Sequence, residues 1–357
     1  MSADWCRDGR LSFGEELLWC DSSQMKRVAV IGAGSWGTAL GIMAGRRGHE
    51  VRLWSRNAEV VESINRQHLN AVYLPDAKIP ERVRATEKIE EALELAELVI
   101  LAAPSHATRA VLKSMVPVLD SDMILVSATK GIEIDTGKRI SQIVTEIAGE
   151  KFSPRFVCLS GPSFAKEVVD KHPTAVVAAS LSVDLSRSVQ AELSSETLRI
   201  YTNDDVVGTE LGGSVKNVMA IAAGMVAGLG FGSNSIAALI TRGLAEMTRL
   251  ALKEGAKLET LMGLAGLGDL VLTCTGSLSR NRYVGQELGK GRGLEEITSG
   301  MKDVAEGVKT SQALKRLATR LKVEMPITSE VHAVLYEGET VQVAAANLMN
   351  RPLKEEF

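Results

Sequence analysis

Between residues 26 and about 200 the chain alternates short β-branched runs with longer stretches whose apolar residues recur at helical spacing. Residues 27–31, 51–54, 98–103, 123–128, 155–159, 174–179 and 198–202 each read as a strand. Residues 38–47, 107–116 and 138–147 lie between some of them and carry helical patterns. Such alternation predicts a mostly parallel sheet with helices on both faces. After Asn203 the pattern changes: residues 204–229, 235–255, 309–321 and 328–336 all show helical spacing, and no convincing strand follows. Asn203 or Asp204 is the expected N-cap of the first of these helices. The expected fold class is α/β, with an N-terminal Rossmann-type doubly wound sheet over residues 25–204 and an all-α C-terminal domain over 205–357. No low-complexity tract separates the halves, so close packing with a cleft between them is expected. That cleft is the default ligand site.

The length of 357 residues suits two domains at about 150 residues each. Lys and Arg total 41 against 44 Asp and Glu, and aromatics are 4%. Both figures argue against a nucleic-acid surface, which needs many phosphate-pairing cations and stacking rings. They leave room for one small anionic ligand held by a few well-placed cations. Cys6, Cys20, Cys158 and Cys274 form no Cys-x-x-Cys pair and lie near no histidine cluster, so neither a disulfide framework nor a metal is expected, and a reducing cytoplasm is the expected compartment. The near-apolar run 218–229 is too short to span a bilayer, so membrane insertion is not expected. Residues 1–24 carry Asp4, Arg7, Asp8, Glu15, Glu16 and Asp21, which rules out a signal-peptide core. Met25 stands directly before Lys26-Arg27 and the first strand. The first 24 residues are therefore expected to be a dispensable extension, and a chain beginning at Met25 should stay soluble and active.

Gly32-Ala33-Gly34-Ser35-Trp36-Gly37 follows the first strand and opens the first helix. In that position the first glycine allows a tight turn, the second lets a pyrophosphate approach the backbone, and the third lets helix and strand pack closely. The helix N-terminus then offers free N–H groups to the phosphates. The second strand ends in Trp54-Ser55-Arg56-Asn57, where an NAD-selective site usually places an acidic residue for the ribose hydroxyls. Arg56 suits a 2′-phosphate instead, so NADPH should be accepted well; the plainer reading is a solvated arginine at a strand end. Lys130 stands after a later strand end, where an anion would lie, although surface lysines are common.

Three more segments combine glycine with polar chemistry. Ser160-Gly161-Pro162-Ser163-Phe164-Ala165 can present backbone N–H groups to a ligand. Lys216 sits among Val215, Val218, Met219 and Ile221, and is either a partly buried base or a lysine snorkelling from a helix flank. Gly266-Leu267-Gly268-Asp269-Leu270 puts one carboxylate in an apolar stretch, and Ser279-Arg280-Asn281 offers an arginine able to pair a phosphate bidentately. None of the five histidines is expected to be catalytic; His106, after a strand end, is the one placed to touch the nicotinamide side.

Taken together, these motifs, with Ala128-Thr129-Lys130-Gly131 and Leu211-Gly212-Gly213-Ser214-Val215-Lys216-Asn217-Val218, resemble the bacterial NAD(P)-dependent sn-glycerol-3-phosphate dehydrogenases from about Lys26 to about Asn347. The resemblance implies interconversion of sn-glycerol 3-phosphate and dihydroxyacetone phosphate by hydride transfer with NADPH or NADH, supplying glycerol 3-phosphate for phospholipid synthesis. It implies that Lys216 is the general base; on physical grounds a hydrogen bond with Asp269, joined by Thr273, is expected to hold the amine in place. It further implies that Lys130, Gly161, Ser163, Asp269, Ser279, Arg280 and Asn281 contact substrate. Gly32, Gly34, Ser35, Trp36, Gly37, Arg56, Lys130, Ala165, Arg280, Val304 and Glu306 match cofactor-contacting positions. For Lys216, burial lowers the pKa and a neighbouring carboxylate raises it, and the sequence does not decide between them. Exposed apolar helix surface in the second domain would suit a homodimer. A ketopantoate reductase or β-hydroxyacid dehydrogenase would share the two-part plan without Gly-Leu-Gly-Asp-Leu followed by Ser-Arg-Asn. A non-catalytic NAD(P)-binding regulator would need the glycine loop but not Lys216, Asp269 and Arg280 together.

Overall fold

The computed structural model describes residues 25–149, 155–301, 305–353 and 355–356. The expected extension at residues 1–24 and the cofactor position Val304 lie outside them. An eight-stranded sheet is built from β1 (Arg27–Ile31), β2 (Glu50–Trp54), β3 (Val83–Thr86), β4 (Leu98–Leu101), β5 (Ile124–Ser127), β6 (Phe156–Ser160), β7 (Thr174–Ala179) and β8 (Leu198–Asn203). Its order is β3-β2-β1-β4-β5-β6-β7-β8. Every pairing is parallel except β6 with β7. The order reverses between β1 and β4, which is the switch point where open α/β sheets bind ligands beyond their strand ends.

Alternate residues of each central strand feed separate apolar clusters. Val28 and Val30 pack on one face with Leu40, Leu53 and Ile100. Ala29 and Ile31 pack on the other with Leu101, Leu112 and Ile143. This two-faced burial is why parallel strands read as nearly unbroken apolar runs. β3 escapes the sequence reading because it is a four-residue edge strand whose Arg84 points to solvent.

Among the described residues no strand follows Asn203, and the chain turns helical at Val206–Gly228. The cap of this helix is Asp205, not Asn203 or Asp204. Its side chain accepts from the N–H groups of Gly208 (2.8 Å) and Lys257 (2.8 Å), while the Asn203 side chain accepts from the N–H of Asp205 (2.9 Å). Two bonds to the helix and to a neighbouring segment favour the third polar residue of the run. Helix Val206–Gly228 is long and apolar enough to cross a membrane, but it is buried at the centre of the helical half. Helices Ser233–Lys253, Arg280–Gly289, Glu306–Leu321 and Pro326–Tyr336 surround it. Contact with Arg280–Gly289 is backbone to backbone: a Cβ on Gly285 would lie 1.9 Å from the Ile221 carbonyl oxygen, and one on Gly224 would lie 2.0 Å from that of Arg282. Of the four cysteines, the described Cys158 and Cys274 are buried and unbonded to each other.

Candidate active site

A cleft of about 700 Å3 runs along the strand ends and is lined by residues of both the sheet and the helical half. The glycine loop forms one wall. Gly32 has φ +120°, and a Cβ there would come within 2.7 Å of the Ala102 carbonyl oxygen; a Cβ on Gly37 would lie 1.9 Å from the Gly32 carbonyl oxygen. A Cβ on Gly34 meets nothing, so that residue borders open space. The helix that follows, Ser35–Arg46, has no side-chain cap, which leaves its first amides free to bind an anion. Ser35 Oγ is occupied, donating to the Tyr73 carbonyl (2.9 Å). The loop is pinned from beneath by Asn70, fully buried, whose Nδ2 donates to Ala33 O (2.9 Å) and Thr38 Oγ1 (2.8 Å). No sequence pattern singled out Asn70, which lies more than 30 residues beyond the loop it fixes.

Trp36, Arg56, Ser163 and Ala165 line the same cleft, and Arg56 is exposed at the end of β2. The buried indole N–H of Trp36 has no hydrogen-bond partner among the described residues. These features fit a dinucleotide: open space at Gly34, free helix amides, and a cation in place of the usual ribose carboxylate.

On the opposite wall Lys216 and Asn217 project from the middle of helix Val206–Gly228. Lys216 is 6% exposed and does not snorkel. Its Nζ donates to Asp269 Oδ1 (2.5 Å) and Thr273 Oγ1 (2.8 Å). Thr273 in turn donates to the Asp269 carbonyl (2.6 Å), so its hydroxyl proton is spent and its lone pair faces the lysine. The other Asp269 oxygen accepts from Lys130 Nζ (2.8 Å), which also donates to the Gly161 carbonyl (2.9 Å). Asp269 opens the helix Asp269–Thr275 directly after a π-helical turn, Leu264–Gly268. Such turns often mark functional sites. Burial outweighs the Asp269 carboxylate and, helped by the Lys130 charge, brings the Lys216 pKa down to about 8. The conflict left open by the sequence is decided by desolvation.

Ser279 caps helix Arg280–Gly289, its Oγ accepting from the Arg282 N–H (3.2 Å). Arg280 therefore starts a helix at the cleft wall. Asn281 Nδ2 donates to Asn217 Oδ1 (3.0 Å), and its Oδ1 accepts from the Gly307 N–H (2.9 Å). Glu306 reaches across to the sheet half, accepting from Ser105 N (3.2 Å) and Ser105 Oγ (2.6 Å). Two expected contacts stand behind the wall rather than on it. Asp269 is fully buried, and Gly161 (φ +137°) is held where a Cβ would lie 2.9 Å from Val176 Cα. Among the described residues no group of three or more His, Cys, Asp or Glu could hold a metal.

A doubly wound sheet whose glycine loop faces a buried lysine across one cleft defines a dehydrogenase that works with a nicotinamide dinucleotide. Comparison with known proteins narrows the class. The N-terminal domain of NAD-dependent glycerol-3-phosphate dehydrogenase matches residues 27–186, and the C-terminal domain of the same family matches residues 205–346. The chain belongs to that family. It is 55% identical over 330 residues to a glycerol-3-phosphate dehydrogenase [NAD(P)+] of Koribacter versatilis, covering 92% of this chain and 98% of that one. A protein of the same description from Myxococcus xanthus is 50% identical, covering 93% and 99%. The crystal structure of glycerol-3-phosphate dehydrogenase from Coxiella burnetii superposes with a TM-score of 0.88 at 40% identity, covering 92% of this chain and 99% of that one.

Proposed function

We propose that this protein interconverts sn-glycerol 3-phosphate and dihydroxyacetone phosphate with NADPH or NADH. The observation that carries the reading is the Lys216 amine, buried at the cleft wall with its hydrogen bonds already assigned. Two of its positions are taken by Asp269 and Thr273. The remaining position is a lone pair in the amine and an N–H in the ammonium. When bound, the nicotinamide supplies or accepts the hydride. In oxidation neutral Lys216 takes the proton of the C2 hydroxyl; in reduction its ammonium returns that proton to the growing alkoxide. A pKa of about 8 keeps both forms populated near neutral pH.

The substrate phosphate belongs with Arg280 and Asn281, which turns remote binding energy into orientation at C2. Lys130, Gly161, Ser163, Asp269 and Ser279 complete or support the substrate side. Gly32, Gly34, Ser35, Trp36, Gly37, Arg56, Ala165 and Glu306 form the cofactor side, with Lys130 and Arg280 bordering both ligands. Residues 25–204 hold most of the dinucleotide, and residues 205–357 supply the base and reach the cofactor through Arg280 and Glu306. The product serves phospholipid synthesis in the cytoplasm. A homodimer suits the exposed apolar side chains of the helical half, among them Phe231, Leu252 and Val343.

The test is direct. Purified protein with NADPH and dihydroxyacetone phosphate should consume reduced nicotinamide, followed by its absorbance, and Lys216→Ala should not. Absence of decay with both NADPH and NADH rejects the assignment.

A further inference from the structure

One hydroxyl joins the two halves beside the cleft without lining it. Ser105, 3% exposed, opens the helix Ser105–Met115 just past β4. That helix has no side-chain cap from its own N-cap residue, Pro104. The missing cap comes from the other half of the molecule. Glu306, the first residue of helix Glu306–Leu321, accepts from Ser105 N through Oε1 (3.2 Å) and from Ser105 Oγ through Oε2 (2.6 Å). The second bond is short and charge-assisted, which makes it the stronger of the two. Glu306 lines the cleft, as do Pro104 and His106 on either side of Ser105. Ser105 itself is set back, so whatever it does for a ligand it does through Glu306. Among the described residues no ion pair competes for this carboxylate.

The hydroxyl is also wedged. A Cβ on Gly131 would lie 2.5 Å from Ser105 Cβ, 2.6 Å from Ser105 Oγ and 3.2 Å from Glu306 Oε2, so only glycine leaves room for the pair. Gly131 is held there in turn: Thr129 donates to the Ala103 carbonyl (2.8 Å), and Lys130 is fastened to Asp269 (2.8 Å) and the Gly161 carbonyl (2.9 Å). With Gly131 on one side and the carboxylate on the other, the Ser105 side chain has little freedom to turn away. We propose that Ser105 is a positioning residue of the dehydrogenase, whose hydroxyl holds the Glu306 carboxylate of the helical half in the orientation that meets the dinucleotide. The inference rests on the reading of Glu306 as a cofactor contact and adds the residue that aims it.

Fluorescence titration with NADPH would compare full-length wild type, Ser105→Ala, Glu306→Ala and the double variant, with kcat measured alongside and folding checked by circular dichroism. Ser105→Ala leaves Glu306 a single amide 3.2 Å away, so the Kd for NADPH should rise at least about fivefold, as loss of a charge-assisted bond implies. In the Glu306→Ala background the same change should move Kd by less than about twofold, because the group it aims is gone. A purely structural role would lower the active fraction, and with it the apparent kcat, while the molecules still folded bind NADPH as wild type does. A Kd for Ser105→Ala within about twofold of wild type overturns the proposal, as does an equal loss in both backgrounds. If Glu306→Ala weakens NADPH and Ser105→Ala does not, the cofactor reading of Glu306 stands and the proposal alone falls. If Glu306→Ala binds NADPH as tightly as wild type, both fall.

Discussion

The electrostatics of Lys216 can be tested by moving its pKa in opposite directions. Asp269→Asn removes the carboxylate 2.5 Å from Nζ, whose charge favours the ammonium. Lys130→Met removes a cation held on the other oxygen of that carboxylate, whose charge disfavours it. At an effective dielectric constant of about 20, two unit charges about 4 Å apart interact by about 4 kcal/mol, or roughly three pKa units. Asparagine keeps a dipole where the carboxylate stood, so a drop of at least about one unit below the wild-type value of about 8 is expected. Lys130 is partly solvated, with 17% of its side chain exposed, so its removal should raise the value by roughly half a unit or more.

The assay is kcat/KM against pH in both directions, which reports the free enzyme. Oxidation needs the amine, so its acid limb should move to lower pH in Asp269→Asn and to higher pH in Lys130→Met. Reduction needs the ammonium, so its alkaline limb should move the same way in each variant. Ionisation of the substrate phosphate is common to all three proteins and cancels in the comparison. Breaking the buried pair costs about 3–5 kcal/mol, so circular dichroism must accompany Asp269→Asn. Lys130→Met carries the opposite sign, but it too removes a partner of the buried Asp269, so circular dichroism must accompany it as well. Limbs that shift in the same direction in both variants, or stay within about 0.3 units of wild type, refute the assignment of Lys216 as the titrating base.

Three further outcomes are expected. Lys216→Ala should lower kcat by at least about 100-fold while NADPH still binds, measured by fluorescence titration; turnover near wild type removes the lysine from the chemistry. Gly285→Ala forces a Cβ to 1.9 Å from the Ile221 carbonyl oxygen, so urea unfolding should register a loss of about 2 kcal/mol or more, and an unchanged midpoint would contradict the helix packing. Glu246, 1% exposed, accepts from Ile327 N (2.6 Å) and Thr328 N (3.2 Å), and burial raises its pKa from 4.5 to about 7. The folded state thus holds a proton that the unfolded state releases, so wild type should lose up to about 3 kcal/mol as pH rises through that window. Glu246→Gln should flatten this loss in urea titrations at pH 5 and 8; an equal loss in both proteins discards the idea.

What the sequence made readable follows from how local each constraint is. Gly32-Ala33-Gly34-Ser35-Trp36-Gly37 stands between a strand and a helix, and Gly32 and Gly37 each answer a contact within the loop or with the next strand. The strands at 28–31 and 98–101 are legible because burial on both faces leaves no polar position to confuse the pattern. β3 pairs only with β2 at the edge, and its alternation over four residues is too short to stand out. The short helices Leu258–Met262, Asp269–Thr275, Arg280–Gly289, Leu294–Ser299 and Val341–Met349 were equally hidden, since their form depends on docking against Val206–Gly228 and its neighbours rather than on their own periodicity. Asn70, Asn217 and Ser105 act through partners 32 or more residues away, so nothing adjacent to them in the chain betrays their work. The Lys216–Asp269 contact, at a separation of 53 residues, follows from the chemistry asked of the lysine once resemblance names it as the base, whereas the balance of its electrostatics needs the geometry.

The placement of Lys216 on the most buried helix has an energetic logic. Lys130, Asp269 and Lys216 put three charges in one pocket, and six residues before Lys216 the buried Glu210 takes Arg139 (2.7 Å), Ser141 N (2.7 Å) and Ser141 Oγ (2.6 Å) from the sheet half. Buried ion pairs of this kind are commonly no more stabilising than apolar residues of equal volume. Their desolvation must be offset by the surroundings, and Val215, Val218, Met219 and Ile221 on the same helix are all fully buried. Each such side chain contributes about 1.5–3 kcal/mol of burial against that cost. The Glu210 anchor also fastens the helix to the sheet half within two turns of the lysine, which fixes the amine against the wall that holds the glycine loop. The cost of burying these charges is matched by fixed geometry: Asp269 holds Lys216 and Lys130 on its two oxygens at the cleft.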